Sequence, residues 1–142
     1  MTRATNRILI FGTFDGIHEG HRDFFMQARK LAEDPHLIVS IARDVNVTRI
    51  KGRPPHETED MRLSALQKEP LVDEVTKGTV DGDYIAHIIQ LNPGIIALGY
   101  DQSNEYADNL GDKLRARGVH IKIVRCEPYH PEVYKSSKIK RS

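Results

Sequence analysis

The stretch Arg7-Ile8-Leu9-Ile10-Phe11-Gly12-Thr13-Phe14-Asp15-Gly16-Ile17-His18-Glu19-Gly20-His21 decides how the chain is read. Residues 7–11 are a short apolar run without polar alternation, the pattern of a strand buried on both faces. Gly12 ends it. From Glu19 the pattern changes, and Phe24, Phe25, Ala28, Leu31 and Ala32 recur at helical spacing, which predicts a helix over 19–33. A buried strand, a glycine-bearing turn and an amphipathic helix form the opening unit of a parallel sheet.

The same alternation continues outward. Strands are predicted over 37–42, 72–75, 95–98 and 119–124, and helices over 57–67, 84–91 and 104–117. Pro93 lies just beyond one helix and Gly118 at the stop of another. Residues 48–56, rich in Lys, Arg, Gly and Pro, read as a loop. The expected fold is α/β: Rossmann-like and doubly wound, a five-stranded parallel sheet with helices on both faces. Ligands of such sheets sit beyond the carboxyl ends of the strands. Gly12-Thr13-Phe14-Asp15, Arg43-Asp44 and Gly99-Tyr100-Asp101-Gln102 all follow predicted strands there.

Composition bounds the possibilities. The chain has 142 residues, the size of one domain, so residues 1–142 are expected to form one unit. Twenty-one basic against twenty acidic residues leave a net charge of +1. That balance argues against nucleic-acid binding, while leaving room for a local anion site. No apolar run approaches the ~18 residues that span a bilayer, and residues 1–7 lack a signal-peptide core. Cys126 is the only cysteine, which excludes an intrachain disulfide. A protein acting in the cytoplasm, with no membrane partner, is expected. The sequence does not fix the oligomeric state, and a homodimer stands only as the commonest soluble assembly.

The motif after the first strand carries the chemistry. Gly12 and Gly16 permit a tight turn. A helix starting near Glu19 points free N–H groups and the positive end of its dipole at the sheet edge, ready for an anion. His18 and His21 share a face there. Spacing alone leaves two readings open: surface or capping residues, or imidazole donors to phosphate. A zinc site would need more ligands than this pair. A dinucleotide fingerprint would need Gly-x-Gly-x-x-Gly, and the chain has Gly-x-x-x-Gly-x-x-x-Gly instead.

Gly12-Thr13-Phe14-Asp15 followed by His18-x-Gly20-His21 resembles the signature of the cytidylyltransferase-like nucleotidyltransferases. Members of that superfamily move a nucleoside monophosphate from a nucleoside triphosphate onto a phosphorylated acceptor and release pyrophosphate. The resemblance implies that Gly12, Thr13, Phe14, His18, Glu19, Gly20 and His21 meet the nucleotide, with His18, His21 and Lys51 acting in catalysis. Asp15, Arg49 and Arg62 fall on the acceptor side. It also implies a divalent cation, Mg²⁺, held mainly by the nucleotide phosphates rather than by a firm protein site.

Other clusters refine the branch. Leu98-Gly99-Tyr100-Asp101-Gln102, Ile41-Ala42-Arg43-Asp44 and Lys51-Gly52-Arg53-Pro54-Pro55 resemble the archaeal-type FAD synthases. Asp101, at a sheet end, could accept from ribose hydroxyls or bind through Mg²⁺, and could at the same time cap a helix beginning near Asn104. Tyr129 would line the base pocket. In the basic tail, residues 135–142, Ser136-Ser137-Lys138-Ile139 resembles the end of a second phosphate-binding motif, which places Ser136 and Ser137 on the nucleotide. His130, Pro131 and Val133 stand where cytidylyl-transferring relatives would carry Arg, Thr and Gly. The expected reaction is therefore ATP with FMN giving FAD. The alternatives are CTP with glycerol 3-phosphate, and a nucleotide-binding module without catalysis. In bland readings Lys51 lies on a solvated loop, Arg62 on a helix surface, and Cys126 is a small buried residue. Without tryptophan, Phe14, Tyr100, Tyr129 or Tyr134 would have to stack on a ring.

Overall fold

The computed structural model describes residues 4–80, 82–102 and 108–129. Its elements are β1 (Ala4–Gly12), α1 (Glu19–Arg29), β2 (His36–Ile41), α2 (Asp44–Lys51), α3 (Glu59–Gln67), β3 (Glu74–Lys77), α4 (Tyr84–Leu91), β4 (Pro93–Leu98), α5 (Leu110–Arg115) and β5 (Lys122–Arg125). The five strands are parallel in the order β3-β2-β1-β4-β5. The Rossmann-like fold read from the alternation is the fold observed.

The apolar runs are explained by the sheet's two covered faces. Leu9 pairs with Ile38 on one side and Ile96 on the other, and these side chains meet Ile85 and Ile88 of α4 and Leu110 and Leu114 of α5. The alternate residues Ile8 and Ile10, with Leu37 and Val39, pack on Phe25 and Ala28 of α1 and Leu66 of α3. The chain runs from β1 outward to β3, then crosses over to β4 and runs outward the other way. The face carrying the connecting helices changes at that reversal. The reversal leaves a crevice beside β1 at the strands' carboxyl ends, where Gly12, Ala42 and Gly99 emerge. Among the described residues no helix is long and apolar enough to cross a membrane.

Several boundaries differ from the sequence reading, four of them for reasons visible in the contacts. α1 stops at Arg29, capped by Lys30, because Asp34 (φ 49°) and Pro35 turn the chain toward β2. Residues 44–51, half of them read as loop, form α2. Val45, Val47 and Thr48 are poor helix formers, and packing and capping override them. β3 starts at Glu74 because the Asp73 carboxylate is occupied, accepting from Leu37 N at 2.8 Å and Arg29 Nη1 at 2.7 Å. α5 is seen over Leu110–Arg115 with Asn109 at its N-cap. Asp101 therefore does not cap it. Residues 103–107 lie outside the described residues.

Candidate active site

His18 and His21 stand at the start of α1, and both readings left open by their spacing hold together. His18 is the N-cap, its Nδ1 accepting from Gly20 N at 3.1 Å. His21 Nδ1 accepts in turn from His18 N at 3.2 Å. This is a capping box built from imidazoles rather than from hydroxyl and carboxylate. The rings stack with centroids 3.8 Å apart and 20° between planes. Because each Nδ1 accepts a backbone N–H, each neutral ring carries its proton on Nε2. The pair thus presents two N–H donors on one face of the helix start. Gly20 makes room for this: a Cβ there would lie 3.0 Å from His18 Cε1.

Burial and then repulsion from His18 hold the His21 ring well below the ordinary histidine value of 6.5, at about 4. Near neutral pH it donates as a neutral imidazole. Protonating Nδ1 would also sever its bond to His18 N. A depressed histidine contributes stability that is complete above pH 6.5 and lost as pH falls from 6.5 through 4. Wild-type protein is therefore expected to lose more stability across that window than His21→Asn, which has no proton to gain. Urea midpoints of both proteins measured between pH 7.5 and 4 check this, and parallel curves would contradict it.

The turn beneath the pair is held from inside. Phe14 is 5% exposed and adopts φ 52°. Its ring lies edge-on to His21 at 5.2 Å and against Phe25 at 5.5 Å. A Cβ at Gly12 would fall 2.6 Å from the Phe14 ring, so only glycine admits this fold-back. The Phe14 ring, which also lines the cleft of the histidines, braces His21.

Arg62 is fully buried, which contradicts its reading as a surface arginine. Its Nη1 donates to Thr13 O (2.8 Å), its Nε to Glu57 O (3.1 Å) and its Nη2 to Asp44 Oδ1 (2.7 Å). Asp44 Oδ2 accepts from Glu59 N and Glu59 Oε1 from Asp44 N, so the first residues of α2 and α3 cap each other's helix. Asp15, also expected at the acceptor, accepts from His56 N (2.7 Å) and Glu57 N (2.8 Å), and the His56 bond leads in pulling its carboxyl below the usual range. Both residues are occupied in shaping the turn. Glu19 likewise turns aside from the histidines' cleft and accepts from Tyr129 Oη at 2.9 Å.

Two clefts meet above the end of β1. The polar one is lined by His18, His21, Lys51, Asp101 and Gln102, and extends to Tyr100 and Tyr129. Its far wall is the loop after β4, pinned by Arg125 Nη1 to Gly99 O (2.8 Å) and Gln102 O (2.9 Å). Cys126 lies in that wall, buried, with its thiol pushed up by burial. The second cleft is mostly apolar, and no motif of the sequence marks it. Phe11, Ile41, Val47, Ile50 and Tyr84 line it, with Ser40 and His87 in its interior. The clefts share Phe11, Gly12, Thr13, Lys51 and Gln102. Lys51 stands at this junction as the last residue of α2, not on a loop. Arg49 is exposed on α2 and lines neither cleft. Ser136 and Ser137, like Tyr134, lie outside the described residues. Among the described residues no three His, Cys, Asp or Glu side chains gather to hold a metal ion.

This sheet, turn and histidine pair belong to a known class. The chain matches the cytidylyltransferase-like family over residues 9–142 and belongs to that family. Its relatives include FAD synthases. That of Korarchaeum cryptofilum is 40% identical over 128 residues, spanning 88% of this chain and 84% of the relative. That of Thermoplasma volcanium is 33% identical over 135 residues, spanning 95% and 92%. That of Pyrococcus horikoshii is 35% identical over 136 residues, spanning 96% and 87%. Among solved structures, the lipopolysaccharide core biosynthesis protein from Thermoplasma volcanium superposes with a TM-score of 0.79 at 34% identity, covering 89% of this chain and 100% of that one. A protein of unknown function from Archaeoglobus fulgidus, at 20% identity and a TM-score of 0.62, shares the fold.

Proposed function

We propose that this chain is an FMN adenylyltransferase, joining AMP from ATP to FMN and releasing pyrophosphate. The observation that carries the chemistry is the locked histidine pair, two Nε2–H donors fixed at a helix N-terminus beside the strand reversal. The FMN acceptor follows the relatives named FAD synthase. A phosphate oxygen of FMN attacks the α-phosphorus of ATP, the bond to the bridging oxygen of the β-phosphate breaks, and pyrophosphate leaves opposite. Such transfer needs positioning and charge neutralisation rather than a protein nucleophile. His18 and His21 donate to the triphosphate, and Lys51 brings positive charge to the junction where the two substrates meet. Asp101, Tyr100 and Tyr129 line the nucleoside side of the polar cleft. Mg²⁺ held by the triphosphate would supply further charge neutralisation. The reaction takes place in the cytoplasm.

Purified protein incubated with FMN and ATP is expected to release pyrophosphate and form FAD. CTP with glycerol 3-phosphate is expected to yield none. Pyrophosphate release with the second pair alone would replace the proposed reaction. Nucleotide binding without release in either pair would reduce the protein to a binding module.

A further inference from the structure

The apolar cleft contains a polar pair that the reaction as derived does not use. β2 turns Ile38 and Ser40 toward α4, and the surrounding positions on that face of the sheet are apolar: Leu9, Ile96 and Leu98. Ser40 interrupts this surface near the carboxyl end of its strand, where the sheet leaves the cover of the helices and becomes the cleft floor. It is 4% exposed. Its Oγ lies 3.1 Å from Nε2 of His87 on α4. Tyr84, one turn before His87, faces the same cleft, and α2 supplies Asn46 and Ile50 opposite. Ile50 is 47% exposed, an apolar side chain left at the mouth. Among the described residues Lys51 and Arg43 are the charged groups at this cleft, and no acidic residue lines it. The arrangement suits a ligand with a flat apolar body, a polar edge buried inside, and an anionic end directed toward Lys51 and the Gly12-Thr13 turn. A few polar groups set in an apolar pocket fix a ligand's orientation.

Resting on the reading of FMN as acceptor, we infer that Ser40 and His87 together bind the pyrimidine edge of the flavin ring and select it. That edge alternates two carbonyl oxygens with an imide N–H. The pair can match either kind of group. When His87 Nε2–H donates to Ser40 Oγ, the hydroxyl proton is free for a ligand carbonyl. When the hydroxyl donates to Nε2, Oγ keeps its lone pairs for the imide N–H. Burial lowers the proton affinity of His87, so the ring is neutral and both tautomers are open to it. The flavin phosphate then projects into the region shared with the polar cleft, where transfer takes place.

The test uses flavin fluorescence titration and steady-state kinetics on wild type, Ser40→Ala and His87→Leu. Each variant is expected to bind FMN about tenfold more weakly, the size of one lost buried hydrogen bond. The KM for ATP should stay at the wild-type value. The double variant should be no worse than the weaker single one, because the two groups act as a unit. A second measurement needs no variant: wild type should bind FMN methylated at the imide nitrogen about tenfold more weakly than FMN, and Ser40→Ala should show no such preference. Flavin affinity unchanged in both variants overturns the pair's role while the proposed reaction stands, and equal binding of the methylated ligand by wild type overturns its contact with the imide N–H. A rise in KM for ATP instead of FMN assigns the cleft to the nucleotide and also overturns it. Absence of any flavin binding by wild type overturns the proposed reaction and the pair's role together.

Discussion

His21→Asn is expected to lower turnover about 10²–10³-fold, the usual consequence of removing one fixed donor from a site of developing negative charge. Asparagine is chosen because its side-chain oxygen can take over the Nδ1 position and accept from His18 N. The helix start then survives while the Nε2–H donor is lost. His21→Ala removes both, and should add about 1 kcal/mol of destabilisation from the broken cap. Comparing thermal midpoints and turnover of the two variants separates the roles. Both should be catalytically impaired alike, and the alanine variant alone should melt earlier. Near-wild-type turnover in the asparagine variant would break the mechanism.

Arg62→Leu is expected to be the most destabilising single change, by about 3 kcal/mol, because it strands polar partners inside the protein. Leucine fills part of the volume but leaves Thr13 O and Glu57 O without a donor and Asp44 without its cation. The thermal midpoint should fall by roughly 10 °C at this chain length. Turnover should also suffer well below the midpoint, since Thr13 O anchors the turn and Asp44 opens the helix that carries Lys51. A variant that keeps the wild-type midpoint would show the guanidinium to be dispensable. One that melts early yet turns over normally at low temperature would confine Arg62 to stability.

The order of strands and helices was legible because both faces of the sheet are covered, and double burial writes itself into residues 8–10 and 37–41 as apolar runs. The histidine pair was legible for a local reason: cap, glycine and donor fall within four residues of one helix start. What escaped depends on contacts between distant segments. α2 contains Val45, Val47 and Thr48, which argue against a helix in isolation. Its start is secured by Glu59, fifteen positions away. Arg62 follows the pattern of a surface arginine, and only the turn folded over it makes it internal. Ser40 was the one trace of the second cleft in the sequence, a hydroxyl in the run Leu37-Ile38-Val39-Ser40-Ile41. Its partner His87 lies on a different helix, and no spacing rule joins them.

The imidazole capping box has a consequence for how the nucleotide is received. Each ring is held by a bond that the helix start itself requires, so completing the first turn of α1 also completes the orientation of both donors. An arriving triphosphate therefore meets side chains with little rotational freedom left to lose, and its affinity is not reduced by the entropy of ordering them.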